Sequence, residues 1–150
     1  MKIQETLHKS SHFVNRVDTE DKSSVRRNDG LFDKHLVKAD HEFVYEKMCE
    51  MLDKITKQGQ KLSERMDIRE LKIYKKMISE FLYDAVNYSH KFNKESVLDR
   101  RGRHRIFAII SKVNSHVDEL TQEVLKEERD HLKILQKLDD IRGLLLDILI

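Results

Sequence analysis

The stretch LKIYKKMISEFLYDAVNYSHKF, residues 71–92, decides the fold. Its apolar residues are Leu71, Tyr74, Ile78, Phe81, Ala85, Tyr88 and Phe92, spaced alternately three and four apart. A helix turns once in 3.6 residues, so this spacing lines one face for three heptads. A strand would alternate with a period of two, and the stretch does not. It reads as an amphipathic helix. Asp67 is a good N-cap for it, with Glu70 three residues on as in a capping box.

Moving toward the N-terminus, Val44, Met48, Met51, Ile55 and Leu62 mark another helical stripe over residues 40–63. Asp40 is its expected N-cap, because a carboxylate there accepts an otherwise unpaired backbone N–H. Gly59 lies inside it at a cost of about 1 kcal/mol against alanine, which a close helix approach would explain. The link to the next helix, residues 64–66, is too short for anything but antiparallel neighbours.

Moving toward the C-terminus, residues 93–102 form a polar connection. Ile106, Ile110, Val113, Val117, Leu120 and Val124 mark a third stripe, and Ile134, Leu138, Ile141, Leu145 and Ile148 a fourth. The heptad phase runs through without slipping, but it puts Glu127 and His131 on the seam. One uninterrupted helix over 103–149 would be roughly 70 Å long, and half of it would lack a neighbour. The acids Glu127, Glu128 and Asp130 suit a helix start, where the macrodipole favours negative charge. A break over 126–130 follows. The expected fold is all-α, an up-and-down four-helix bundle. The alternative is three helices with a very long last one.

The whole chain of 150 residues has no proline and only four glycines, which agrees with helices throughout. Charged residues are 37% of it and apolar residues 39%, a mix that suits helices burying one stripe and solvating the rest. Residues 1–38 differ. They are serine-rich and mixed in charge, with few apolar positions, so they are expected to form a disordered polar arm before the bundle domain of residues 39–150. Leu31, Phe32, Leu36 and Val37 suit a short helical turn that docks on the body.

Several pieces resemble the bacterial YaaR-like family, a domain of unknown function. They are Gly59-Gln60-Lys61-Leu62, Tyr74-Lys75-Lys76 with Glu80-Phe81-Leu82, Arg101-Gly102-Arg103-His104-Arg105-Ile106, Glu119-Leu120-Thr121, and residues 140–147, DIRGLLLD. The resemblance covers about residues 55–150. It implies a small helical bundle with a polar N-terminal arm. It supplies no activity, cofactor or site residue.

Composition narrows the function. A net charge of +2 is too small to imply nucleic acid by itself. Cys49 is the one cysteine, so neither an intrachain disulfide nor a cysteine-rich zinc site can form. It shows no catalytic spacing to His41 or His90 and reads as a structural thiol. The N-terminus lacks the apolar run of a signal peptide. The run from Leu144 to Ile150 is far short of the roughly 20 residues that span a bilayer. A cytoplasmic protein is expected, with no membrane association. Glu128-x-x-His131 has the spacing of one half of a di-iron site, but no second such motif exists, so no metal is expected. No other cofactor is indicated, and no pair of titratable groups supports acid–base or nucleophilic catalysis. Tyr74, Phe81 and Tyr88 read as an aromatic core.

Two features remain. Arg100, Arg101, Arg103, His104 and Arg105 cluster where the third helix starts, at a dipole end that repels them. They are a candidate anion site for a nucleic acid or a phosphorylated ligand. The plainer account is a solvated loop paired with Asp99 or Glu95. At the other end, residues 141–150 are apolar nearly all round, so Leu144, Leu146, Leu149 and Ile150 are candidates for contact with a partner or a second copy. The expected function is therefore a non-enzymatic interaction or regulatory module. Binding of a nucleic acid or phosphorylated ligand through the basic cluster is the alternative.

Overall fold

Among the described residues, four helices follow one another: α1 (Asp21–Arg65), α2 (Ile68–Asn93), α3 (Arg100–Leu125) and α4 (His131–Leu149). The computed structural model describes residues 21–93 and 100–150, with side-chain surroundings for residues 30–89, 102 and 104–150. There is no strand among the described residues. The chain forms two units, Met1–Glu42 and Phe43–Ile150, and α1 contributes to both.

The second unit is the expected bundle. Its core takes one stripe from each helix: Met48, Ile55 and Leu62 from α1, and Tyr74, Ile78 and Phe81 from α2. Val113, Leu120 and Val124 of α3 and Ile134, Ile141 and Leu145 of α4 complete it. Lys47 pairs with Asp84 and Gln58 bonds to Glu70, so α1 and α2 run antiparallel. Glu119 pairs with Lys137 across α3 and α4, which are antiparallel too.

The break between α3 and α4 falls at residues 126–130, as the acidic run suggested. Asp130 caps α4, its Oδ1 accepting the Leu132 N–H at 3.1 Å and the Lys133 N–H at 3.3 Å. Glu127 and His131, expected on a seam, are exposed beside the break.

Two expectations change. The first helix begins at Asp21, not at Asp40, which lies well inside it. An existing helix needs no new nucleus to grow, so extension through residues 21–39 costs only propagation. Gly30 is the one glycine in that stretch, and proline, the strongest breaker, is absent. The arm is thus helical from Asp21, and residues 1–20 lie outside the described residues. Leu31, Phe32 and Leu36 are exposed and Val37 is half-buried. Glu70 also departs from its expected role. Its carboxylate accepts a hydrogen bond from Gln58 Nε2 at 2.5 Å and lies 3.5 Å from Arg65 Nη1, joining α2 to α1. Asp67 does cap α2, accepting the Arg69 N–H at 3.4 Å.

Gly59 sits where the helices meet, but the spacing leaves room for a methyl, so close approach does not by itself require glycine there. A Cβ there would lie 3.4 Å from the Tyr74 ring and 3.5 Å from a Leu138 methyl, so α1 meets α2 and α4 at one level.

Candidate functional site

The turn from α1 to α2 is the one place among the described residues where a non-glycine backbone has positive φ. Met66, at φ 49°, closes α1, its N–H donating to the Leu62 carbonyl at 2.8 Å. Left-handed backbone costs an L-residue roughly 1–2 kcal/mol. Arg129, from the α3–α4 link, donates to the Met66 carbonyl at 2.7 Å and ties the two links at this end together. Beside it Glu123, almost fully buried, accepts from Lys126 Nζ at 2.7 Å and from the Asp130 N–H at 3.3 Å. The Lys126 bond is the main reason that the Glu123 carboxyl sits below its ordinary pKa. These polar groups hold the links in place. They bond to one another and to the backbone, so they read as structure.

The other expected sites divide. The side chains of Arg100, Arg101 and Arg103 lie outside the described residues. His104 and Arg105 are exposed on the first turns of α3. At the C-terminus, Leu144 and Leu149 are half-buried and pack on the bundle's own core, together with Ile148. Ile141 and Leu145 are fully inside. Only Leu146 and Ile150 of the four candidates remain exposed. The near-continuous apolar surface is thus largely used within one chain. Cys49 is half-buried. Tyr74 and Phe81 are core residues as expected, burial pushing the Tyr74 hydroxyl well above its ordinary pKa. Tyr88 is half-buried, and burial raises its pKa as well. Among the described residues, no group of three or more His, Cys, Asp or Glu is placed to hold a metal ion. No helix there is long and apolar enough to cross a membrane.

A concavity with an apolar floor lies elsewhere, along the seam of α1 and α2. It holds about 650 Å³. Met51, Ile55 and Met77 form an apolar floor. Lys47 and Lys54 stand on the α1 rim, and Glu80, Tyr83 and Asp84 on the α2 rim. Lys47 Nζ bridges to Asp84 Oδ2 at 3.0 Å and crosses one end. Beyond that bridge a smaller hollow continues along the seam under Phe43 and Tyr88. Phe43 and Tyr83 are 69% and 70% exposed, which is unusual for rings beside an apolar floor.

Sequence reading did not single out this groove. Met51 falls on the core stripe, and it is half-buried because the seam opens above it. Ile73 and Met77 carried the available signal. They form a second apolar i,i+4 pair beside the core positions Tyr74 and Ile78, which makes the apolar face of α2 wider than one seam needs.

Comparison with known proteins agrees with the geometry. Uncharacterized protein YaaR of Bacillus subtilis (strain 168) is 20% identical over 103 residues, 69% of this chain and 70% of that protein. The crystal structure of uncharacterized protein BH1478 from Bacillus halodurans is similar at 35% identity. It has a TM-score of 0.71 and covers 79% of this chain and 97% of that one. A designed granulopoietic protein, Moevan, made by topological rescaffolding, matches at 30% identity and a TM-score of 0.67. The match covers 73% of this chain and 93% of the design. The four helices, the order of the pieces quoted above and a family model matching residues 3–149 converge, and the chain belongs to the family described as protein of unknown function (DUF327).

Proposed function

We propose that this protein is a non-enzymatic interaction module of the cytoplasm and that the α1–α2 groove is its recognition face. The observation that supports the reading is a preformed apolar trough with charged rims and exposed aromatic rings. Methionine floors adapt to the shape of what they bind, since the side chain is unbranched and polarizable. Rings such as Tyr83 supply contact area with little rotamer entropy to lose. Helical bundles commonly meet partners through grooves of this kind. The C-terminal candidates Leu146 and Ile150 offer less, because their neighbours are already packed inside the chain.

The test is a photo-crosslink. Benzoylphenylalanine in place of Tyr83 should give a discrete, saturable protein adduct in cells, and the same group in place of exposed Leu132 on α4 should not. Met77→Gln should reduce the adduct while circular dichroism stays unchanged. Absence of any adduct at Tyr83 would overturn the reading.

A further inference from the structure

The charged residues that line the α1–α2 groove carry opposite signs, one per helix, and Glu80 also lies 4.0 Å from the exposed Lys76 of its own helix. Lys47 and Lys54 lie on α1, Glu80 and Asp84 on α2. A groove with rims of one sign would call for a partner of the other sign. This one calls for a partner with both signs in reversed order, and a second copy of the same face supplies that.

We propose that two copies of this chain pair through their α1–α2 faces, around a two-fold axis lying in the interface and running along the groove. The proposal rests on the groove being a recognition face. The symmetry follows from the charges. Rotation about an axis along the groove sets α1 of one copy over α2 of the other, so lysine meets carboxylate on both sides. An axis across the groove would set lysine over lysine and acid over acid, which is strongly unfavourable. An interface of this kind is self-complementary, as a two-fold requires.

The levels along the helices also match. Lys47 and Asp84 stand at one level, since they bridge at 3.0 Å. Lys54 is seven residues along from Lys47, roughly 10.5 Å, and Glu80 four residues from Asp84, roughly 6 Å. The antiparallel helices carry both the same way from the bridge, and the remaining offset of roughly 4.5 Å is within reach of a lysine side chain. Lys54 of each copy therefore meets Glu80 of the other. Tyr83 comes over the other copy's α1 near Lys47, where ring and ammonium attract. The bridging Lys47 and Asp84 of both copies join into a cluster of four alternating charges. Two helices over this length offer a face at the small end of specific interfaces, so the dimer is expected to be weak and concentration-dependent.

Sedimentation velocity of the full chain, from about 1 µM to about 500 µM, tests this. Reversible dimerisation with a dissociation constant on the order of 10 µM is expected. Lys54→Glu and Glu80→Lys should each weaken it at least about tenfold, because each homodimer then faces like charges. Mixing the two variants in equal amounts should restore a heterodimer. The glutamate introduced on α1 of one copy then faces the lysine introduced on α2 of the other, and the opposite side keeps its native pair. Both positions are exposed, so circular dichroism should show both variants folded. A monomer at every concentration would overturn the proposal. So would dimers that ignore either substitution, or variants whose mixture stays monomeric. The Tyr83 crosslink separates the two readings. An adduct of twice the chain mass supports pairing. An adduct with a different protein alone overturns pairing and leaves the recognition face standing, and no adduct overturns both.

Discussion

Two grooves of nearly equal size run along different seams of the bundle, and they are built differently. The α1–α2 groove holds about 650 Å³ over Met51, Ile55 and Met77. The α3–α4 groove holds about 680 Å³, but Lys112, His116, Asp139, Asp140 and Asp147 surround its Gly143 and Leu144. Volume alone does not make a recognition site. Burying apolar floor releases roughly 25 cal/mol per Å², whereas burying a charged wall is unfavourable unless every charge is paired. The α3–α4 seam already has its own bridge, with Lys137 donating to Glu119 and lying 3.4 Å from His116 Nδ1. Each seam carries its own bridge, but one groove is walled by charges and the other keeps an apolar floor.

The sharpest way to break this contrast is to truncate side chains on either side of the α2 wall. Phe81 is fully buried, so Phe81→Ala should cost about 3–5 kcal/mol in urea unfolding. Met77 faces the groove and is half-buried. Met77→Ala should cost no more than about 1 kcal/mol, since the side chain leaves water only in part. Equal losses would make Met77 a core residue and the groove a packing defect.

A smaller effect probes how tightly α1 seats against the rest. Gly59→Ala should stabilise the protein by up to about 1 kcal/mol. The new methyl meets Tyr74 and Leu138 at ordinary contact distances, and the helix loses its most flexible residue. A loss of stability would show that α1 is already packed to its limit, leaving no slack beside the groove. Arg129→Ala should lower the unfolding free energy by about 1 kcal/mol, as expected for one hydrogen bond to a backbone carbonyl at an exposed site. Urea denaturation at neutral pH reads both.

The sequence made the core legible because the core is periodic. Leu71, Tyr74, Ile78, Phe81 and Ala85 all became buried, and the acids around Glu127 marked a real break. Periodicity does not report where a helix fades, and so the apolar stripe begins well after α1 does. Residues 21–39 are poor in apolar residues, and a growing helix needs few of them. Long-range polar contacts were equally hidden. Glu70 looks like a capping-box partner of Asp67 until Gln58 is seen opposite it. Nothing in the sequence joins Arg129 to Met66. The groove escaped because it depends on the rotation of α1 against α2. A stripe shows which residues share a face, and not how far the neighbouring helix covers them.

The smallest effect belongs to the α3–α4 side of the bundle and should appear only in acid. Glu119 and Glu123 both ionise below their ordinary range, Glu119 mainly through the hydrogen bond from Lys137 and Glu123 mainly through that from Lys126. A carboxyl with a depressed folded pKa binds its proton more readily in the unfolded chain. Its contribution to stability is therefore complete above the unfolded value, roughly 4.3, and fades as the pH falls through the depressed one. Between pH 7 and pH 5 these two residues should leave the urea midpoint unchanged. Below about pH 4 the midpoint should fall, and the Glu119→Gln, Glu123→Gln double variant should fall less steeply than the native chain. Glutamine at 123 keeps an acceptor for the Asp130 N–H, so the α3–α4 link keeps that bond and the comparison isolates charge. Identical slopes in the two proteins would mean that the bridges on this seam are screened by water. The contrast between a charge-walled groove and an apolar one would then rest on the floor of the α1–α2 groove alone.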